Sequence, residues 1–110
     1  MERKVLELVV YKLNEGVSRE QFLDTNDAVS AWATQQPGFV SRDLVHDAEG
    51  DRWVDVIWWE STEHAHKANE WSMTSPSCRP MFAAIEMESA LMLHGVPAID
   101  TVKPATPVGV

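Results

Sequence analysis

Three alternating residues on one predicted strand combine a carboxyl that could do acid–base chemistry with apolar and aromatic side chains that could pack against an aromatic molecule. Asp55, Ile57 and Trp59 are two residues apart, so along a strand they point to the same face. A carboxylate beside a tryptophan is partly removed from water, which raises its pKa and allows it to accept a proton near neutral pH. The spacing therefore predicts a pocket in which a phenolic proton is removed.

Five further residues are candidates for the same pocket. The predicted catalytic residues are Asp55, Trp59, His64 and Glu7, and the predicted substrate contacts are Arg42, Trp53, Ile57 and His94. A structural alternative stays open for Arg42 and Asp55, because cross-strand ion pairs commonly have no other role. Glu7 could equally be an exposed or ion-paired strand residue, and His64 a solvated helix residue.

Residues 39–61 are predicted to form the hairpin that positions these side chains. Two apolar, β-branched and aromatic runs flank residues 47–50, which indicates a four-residue loop. Pairing His46 with Asp51 sets Arg42 opposite Asp55, whereas a slip of one residue places Asp43 there as a destabilising like charge. One predicted face carries Val40, Arg42, Leu44, Trp53, Asp55, Ile57 and Trp59. The other carries Phe39, Ser41, Asp43, Val45, Val54, Val56 and Trp58.

Two helices and two more strands are predicted around the hairpin. Ser18 with Gln21 forms a capping box, and Ser61 is the cap of the second helix. The predicted strands are at 4–13 and 87–96, and the predicted helices run from Ser18 to about Gln36 and from Ser61 to about Trp71. The second helix is expected to bury Ala65, Ala68 and Trp71. A short helical stretch is expected from Ser75, breaking near Arg79. Residues 1–96 are the predicted domain, and 97–110 an extended tail.

Composition excludes several classes of partner. A net charge of -8 without a Lys/Arg cluster argues against nucleic-acid binding. No apolar run approaches the ~20 residues of a membrane span. One cysteine, Cys78, fits a reducing cytoplasm. His64 and His66 are two apart and would point in different directions on a helix, so no metal site is expected.

The order β-α-β-β-α-β predicts an α+β ferredoxin-like fold. Its four-stranded antiparallel sheet would have the order 4-1-3-2, with both helices on one face. The other face would carry Val54, Val56 and Trp58 uncovered. Because a monomer rarely leaves such a patch in water, we expect a homodimer, a dimeric α+β barrel.

The chain resembles the antibiotic biosynthesis monooxygenase-like domains of the dimeric α+β barrel superfamily over about residues 3–95. The matching elements are Gln-Pro-Gly-Phe at 36–39, Trp59-Glu60-Ser61, the helix with His64 and Ala68, Ser75-Pro76 with Cys78, and a last strand ending at Met92-Leu93-His94. The resemblance implies that Trp59 lines the pocket. Asp55 stands where some of these proteins have an asparagine, which departs from their catalytic pattern.

This resemblance implies one of two functions. The first is a cofactor-free monooxygenase acting on an aromatic or polyketide-like molecule. The alternative is a non-catalytic dimeric domain that binds a small apolar ligand or is structural. Haem-degrading relatives use an Asn-Trp-His set, but here the first strand has no Asn and Asn69 replaces the haem-ligating His. We therefore expect no cofactor.

Overall fold

A four-stranded antiparallel sheet with the order β2-β3-β1-β4 forms the framework, as predicted. The computed structural model describes residues 4–99 and 102–105. The elements are β1 Val5–Leu13, α1 Arg19–Thr34, β2 Phe39–Asp47, β3 Arg52–Trp59, α2 Thr62–Ser72, α3 Arg79–Ala84 and β4 Ile85–Gly95. This is the ferredoxin-like α+β fold that the element order predicts.

Residues of one parity on the two central strands form the inner face of the sheet, and burial alternates strictly along β3. On β1 the buried residues are Val5, Glu7 and Tyr11, and on β3 they are Trp53, Asp55, Ile57 and Trp59. Two apolar clusters form between this face and the helices. One is centred on Phe22, Tyr11 and Trp53, and the other combines Ile57 and Trp59 with Ala65 and Ala68 of α2.

Both predicted helix caps are present. Ser18 Oγ accepts a hydrogen bond from the Gln21 backbone N–H, and the Gln21 side chain accepts one in return from the Ser18 N–H. At α2, Ser61 Oγ accepts a hydrogen bond from the backbone N–H of His64. These bonds satisfy N–H groups that lack a partner within the helix, so they fix where each helix begins.

The predicted hairpin register is wrong by two residues. The loop has four residues, as expected, but occupies positions 48–51, so Asp47 pairs with Arg52, His46 with Trp53 and Arg42 with Ile57. Asp47 closes the hairpin because its Oδ1 accepts a hydrogen bond from the Gly50 N–H at 3.2 Å. A shift of two keeps the side chains from Ser41 onward on their predicted faces, since side chains alternate with period two.

A bulge at the start of β2 corrects the prediction for Phe39. The register shifts between Phe39 and Ser41, which brings Phe39 opposite Trp59. Their rings meet edge to face, with centroids 5.8 Å apart. An extra residue at a bulge reverses the alternation that the sequence suggested, so Phe39 packs with the inner cluster rather than on the outer face.

Two helix predictions also need correction. Trp71 is 46% exposed, because the buried face of α2 consists of Ala65, Ala68 and Ser72, and the neighbouring position points away. The third helix was predicted to begin at Ser75 and to break near Arg79, and this is wrong. It begins at Arg79, where Pro80 lies in the first turn and its missing N–H leaves no intrahelical bond unmade.

The outer face of the sheet has no helix over it among the described residues. It carries Leu6, Leu8 and Val10 of β1, Val54, Val56 and Trp58 of β3, and Leu91 and Leu93 of β4. Leu91 is 63% exposed.

The predicted boundary at residue 96 lies close to the end of β4. Residues 96–99 and 102–105 contain no helix or strand. Residues 1–3, 100–101 and 106–110 of the predicted domain and tail lie outside the described residues. Within the described part, the helices are too short or too polar to cross a membrane.

Candidate active site

A cavity of about 190 Å³ lies between the inner face of the sheet and the helices. Five of the eight predicted site residues line it, namely Glu7, Arg42, Asp55, Ile57 and Trp59. β1 and β3 supply four of them, because positions of equal parity on these adjacent strands share the inner face. An engineered apolar cavity of about 150 Å³ holds benzene, so the volume here accommodates at least one aromatic ring.

The polar floor of the cavity is an ion pair between Arg42 and Asp55. Arg42 Nε donates to Asp55 Oδ1 at 2.9 Å, and Nη2 donates to Oδ2 at 2.8 Å. Arg42 also donates to Asn26 Oδ1 at 2.6 Å and to Ser30 Oγ at 2.9 Å. The side chains of the pair are each 6% exposed. Both carboxylate oxygens of Asp55 therefore accept a charge-assisted hydrogen bond from Arg42.

Glu7 is the carboxyl in the cavity that Arg42 does not bind. Its side chain is 8% exposed, and its Oε1 lies 3.0 Å from Nε2 of His94 on β4. Burial raises the pKa of Glu7, the negative charge of Asp55 adds to that rise, and the hydrogen bond with His94 offsets part of it. A raised pKa brings a carboxylate closer to the range in which it exchanges protons at neutral pH.

His66 extends this pair toward the protein surface. Its ring meets the His94 ring edge to face, with centroids 5.0 Å apart and planes at 75°. His66 belongs to α2 and is exposed, whereas the His94 side chain is 20% exposed. Residues from β1, β4 and α2 therefore form a row from the cavity wall to solvent.

Two buried polar atoms of cavity-lining residues have no hydrogen-bond partner within the described part of the chain, Tyr11 Oη and Trp59 Nε1. Burial raises the pKa of Tyr11, and the charge of Asp55 adds to the effect, so the hydroxyl keeps its proton. Because buried donors are usually bonded, such atoms are expected to meet a ligand or a water molecule. Both residues lie where a bound molecule could accept a hydrogen bond.

Sulfur atoms line much of the remaining wall, from Met73, Cys78, Met81, Met87 and Met92. Cys78 and Met81 are buried, whereas Met73, Met87 and Met92 are exposed and surround the mouth of the cavity. Burial raises the pKa of the Cys78 thiol, so it is a weak nucleophile here. Methionine is flexible and polarisable and makes favourable contacts with aromatic rings.

Three predicted site residues do not line the cavity. Trp53 packs against Phe22 in the core, with ring centroids 4.9 Å apart, and stacks on His46 on its other side. His64 Nδ1 lies 2.7 Å from Ser61 Oγ, and its ring covers Gly38 so closely that a Cβ there would overlap it. His94 lies behind Glu7 rather than in the lining.

Residues that the sequence reasoning missed complete the site. Asn26 follows Phe22 by four positions on the buried face of α1, which marks it as a polar residue in an apolar stripe. Tyr11 shares its strand face with Glu7, and that parity could have identified it. His66 gave no such signal, because its contact with His94 depends on how α2 lies against β4. Among the described residues, no group of three or more His, Cys, Asp or Glu side chains could hold a metal.

No protein-family model matches the chain, and no curated protein matches it in sequence. Solved structures match almost its whole length. The cofactor-independent oxygenase SnoaB from Streptomyces nogalater is 18% identical, with a TM-score of 0.64, covering 94% of this chain and 99% of that chain. The monooxygenase from the gene ActVA-Orf6 of Streptomyces coelicolor, in complex with nanaomycin D, is 14% identical, with a TM-score of 0.66 and 94% of each chain covered. The chain has the antibiotic biosynthesis monooxygenase-like fold.

This monooxygenase-like fold also carries other chemistry. The hydroxynitrile lyase from Passiflora edulis is 15% identical, with a TM-score of 0.66, covering 94% of this chain and all of that chain (100%). One fold supports several reactions, so the reaction must be argued from the side chains in the cavity.

Proposed function

We propose that this protein is a cofactor-independent monooxygenase-like enzyme that acts on an aromatic or polyketide-like molecule in the cavity. The observation that carries the proposal is Glu7, a buried carboxyl in an apolar, aromatic-lined wall, with a raised pKa and His94 as its partner. Two of the structural neighbours are an oxygenase and a monooxygenase, which supports this reaction class.

In the proposed reaction, Glu7 rather than Asp55 accepts the proton. Both Asp55 oxygens accept hydrogen bonds from Arg42, whereas Oε1 of Glu7 lies against the imidazole of His94 and has no arginine bound to it. Glu7 removes a proton from an activated CH₂ group of a hydroxylated or anthrone-like substrate that packs against Trp59. The resulting carbanion is delocalised over the aromatic ring and its oxygen substituents.

The carbanion then reacts with molecular oxygen, the co-substrate. A C–O bond forms, and the peroxide anion takes the proton back from Glu7. Glu7 removes the second C–H proton, the O–O bond breaks, and water leaves, so CH₂ and O₂ become C=O and H₂O. The substrate supplies all four electrons that oxygen gains, so no other reductant enters the balance.

We also propose that the protein acts as a homodimer. The outer sheet face, with Val56, Trp58 and Leu93 near its centre, is apolar, and no described helix covers it. Packing a second copy against this face would remove it from water while leaving the cavity on the opposite side of the sheet.

Oxygen uptake tests the reaction with anthrone-like phenols, which have the activated CH₂ group, and with hydroquinones, which lack it and serve as the comparison. We expect one O₂ consumed per quinone formed, and a roughly 10²- to 10⁴-fold loss in Glu7→Gln, the usual contribution of an acid–base group. Glu88→Gln, on the exposed side of β4, is the matched control. Binding of these compounds by calorimetry without oxygen uptake would instead support the non-catalytic binding function.

A further inference from the structure

His94 and His66 lie in a row behind the proposed base. Glu7 lines the cavity, His94 Nε2 lies 3.0 Å from its Oε1, and the His66 ring packs at 75° against the His94 ring. The mechanism above uses only the first member of this row. The other two belong to different elements, His94 to β4 and His66 to α2.

The charges that face Glu7 differ from one element to the next. Asp55 on β3 is negative and opposes ionisation of Glu7, while His94 on β4 and His66 on α2 favour it. The nearby cation Arg42, on β2, is bound to Asp55, Asn26 and Ser30. Stabilisation of an ionised Glu7 therefore comes from the histidine side of the cavity.

We propose that His94 is a positioning residue that holds the Glu7 carboxylate in its ionised form, and that His66 fixes the ring of His94 for this task. This inference rests on the proposed function, since it describes how the base of that reaction is prepared. A hydrogen bond from Nε2–H to Oε1 favours the carboxylate over the carboxylic acid. It also leaves Oε2 available to the substrate.

The His66 contact explains how His94 keeps this orientation on an edge strand. Within the described part of the chain β4 pairs with β1 alone, so its other side has no neighbouring strand there. An imidazole on such a strand can rotate unless another group packs against it. The perpendicular His66 ring limits that rotation, as edge-to-face aromatic pairs do in protein interiors.

The first test is a nuclear magnetic resonance titration of the Glu7 carboxyl, which needs no turnover. In His94→Phe we expect the pKa of Glu7 to rise further, because the carboxylate loses its hydrogen-bond donor. In His66→Phe, which keeps a ring against His94, the pKa of Glu7 should rise less. An unchanged Glu7 titration in His94→Phe would overturn the proposal whether or not any substrate is oxidised.

The second test compares pH–rate profiles of matched variants. His94→Phe keeps the ring but removes the hydrogen bond, so the acidic limb of kcat/KM should move to higher pH and kcat should fall roughly 10- to 100-fold. His66→Phe keeps the ring contact and removes only the charge of His66, the weakest of the effects on Glu7, so it should move the limb least. His66→Ala should lie between the two. A limb that stays in place in His94→Phe would contradict the positioning role. Absence of turnover in the wild type would count against the proposed function, and the titration would still decide the role of His94.

Discussion

Arg42 and Asp55 form a two-bond ion pair although they are not opposite each other in the sheet. Arg42 is paired with Ile57 and Asp55 with Leu44, so the contact runs diagonally from β2 to β3. The guanidinium also reaches Asn26 on α1. The pair thus joins two strands to a helix at the floor of the cavity.

Removing the negative partner of this pair should destabilise the fold. Asp55→Asn leaves the Arg42 guanidinium buried without a counter-charge, and breaking such a pair costs about 3 kcal/mol or more. Urea unfolding should therefore show a lower free energy of unfolding by about that amount. Lys67→Met removes the exposed pair with Glu63 and should cost less than about 0.5 kcal/mol. Equal losses in the two variants would contradict a structural role for Arg42 and Asp55.

Glu7→Gln should stabilise the protein at neutral pH while removing its proposed activity. Burial raises the pKa of Glu7, so the folded protein binds this proton more tightly than the unfolded chain does. The stability that this carboxyl contributes is then present at low pH and lost as pH rises through its folded pKa. A neutral amide avoids that loss.

The measurement is urea unfolding of wild type and Glu7→Gln at two pH values. We expect the variant to be the more stable at about pH 7.5, and the difference to disappear near about pH 4, where the wild-type carboxyl is protonated. Glu88→Gln provides the exposed control and should show little change with pH. A variant less stable than wild type at both pH values would contradict the direction of the Glu7 pKa.

Trp59→Phe should weaken ligand binding more than Trp71→Phe does. Trp59 is 2% exposed and its Nε1–H points to no described partner, whereas Trp71 lies on the outside of α2 at 46% exposure. Phenylalanine keeps an aromatic wall but loses the N–H donor, and one such hydrogen bond is worth about 1 kcal/mol. Calorimetry with an anthrone or hydroquinone should give a roughly fivefold weaker Kd. Equal Kd values for the two variants would place the ligand elsewhere.

A charge on the outer sheet face should prevent dimer formation. Val56 lies on that face beside Leu8, so Val56→Glu would place a carboxylate inside the proposed interface. Light scattering should give about twice the 12.4 kDa chain mass for wild type and a single chain mass for the variant. Leu23→Glu, on the exposed side of α1, should leave the dimer intact. A wild-type mass of one chain at micromolar concentration would end the dimer proposal.

Strand parity explains why much of the fold was predictable. The buried residues of β3 alternate without interruption and those of β1 share one parity, so the inner face could be read from the period-two pattern. The position of the loop could not be read in the same way. It depends on the hydrogen bond from the Gly50 N–H to the Asp47 side chain and on the φ of 48° at Asp51. Several neighbouring residues in this segment are of types that can adopt such turn conformations, so the sequence does not single out one position.

The site was predictable only where parity determined it. Asp55, Ile57, Trp59, Glu7 and Arg42 line the cavity because their strand positions place them there. His94 and His66 meet through the packing of a helix against an edge strand, and no single-strand pattern contains that information. His64 was expected to face inward one turn before Ala68. Its ring instead packs against Gly38, and its Nδ1 is hydrogen-bonded to Ser61 Oγ, so it stays beside the end of the strand.

The pairing of β2 with β3, rather than the length of the loop at residues 48–51, keeps Arg42 on the inner face. A residue inserted in that loop can be absorbed by a longer turn while Asp47 still pairs with Arg52, so Arg42 stays beside Asp55. A residue inserted within β2 between Arg42 and Asp47 would instead turn Arg42 to the outer face and leave Asp55 without its cation, unless a bulge restored the alternation. Length changes among descendants of this chain should therefore be found in the loop and not in this part of the strand.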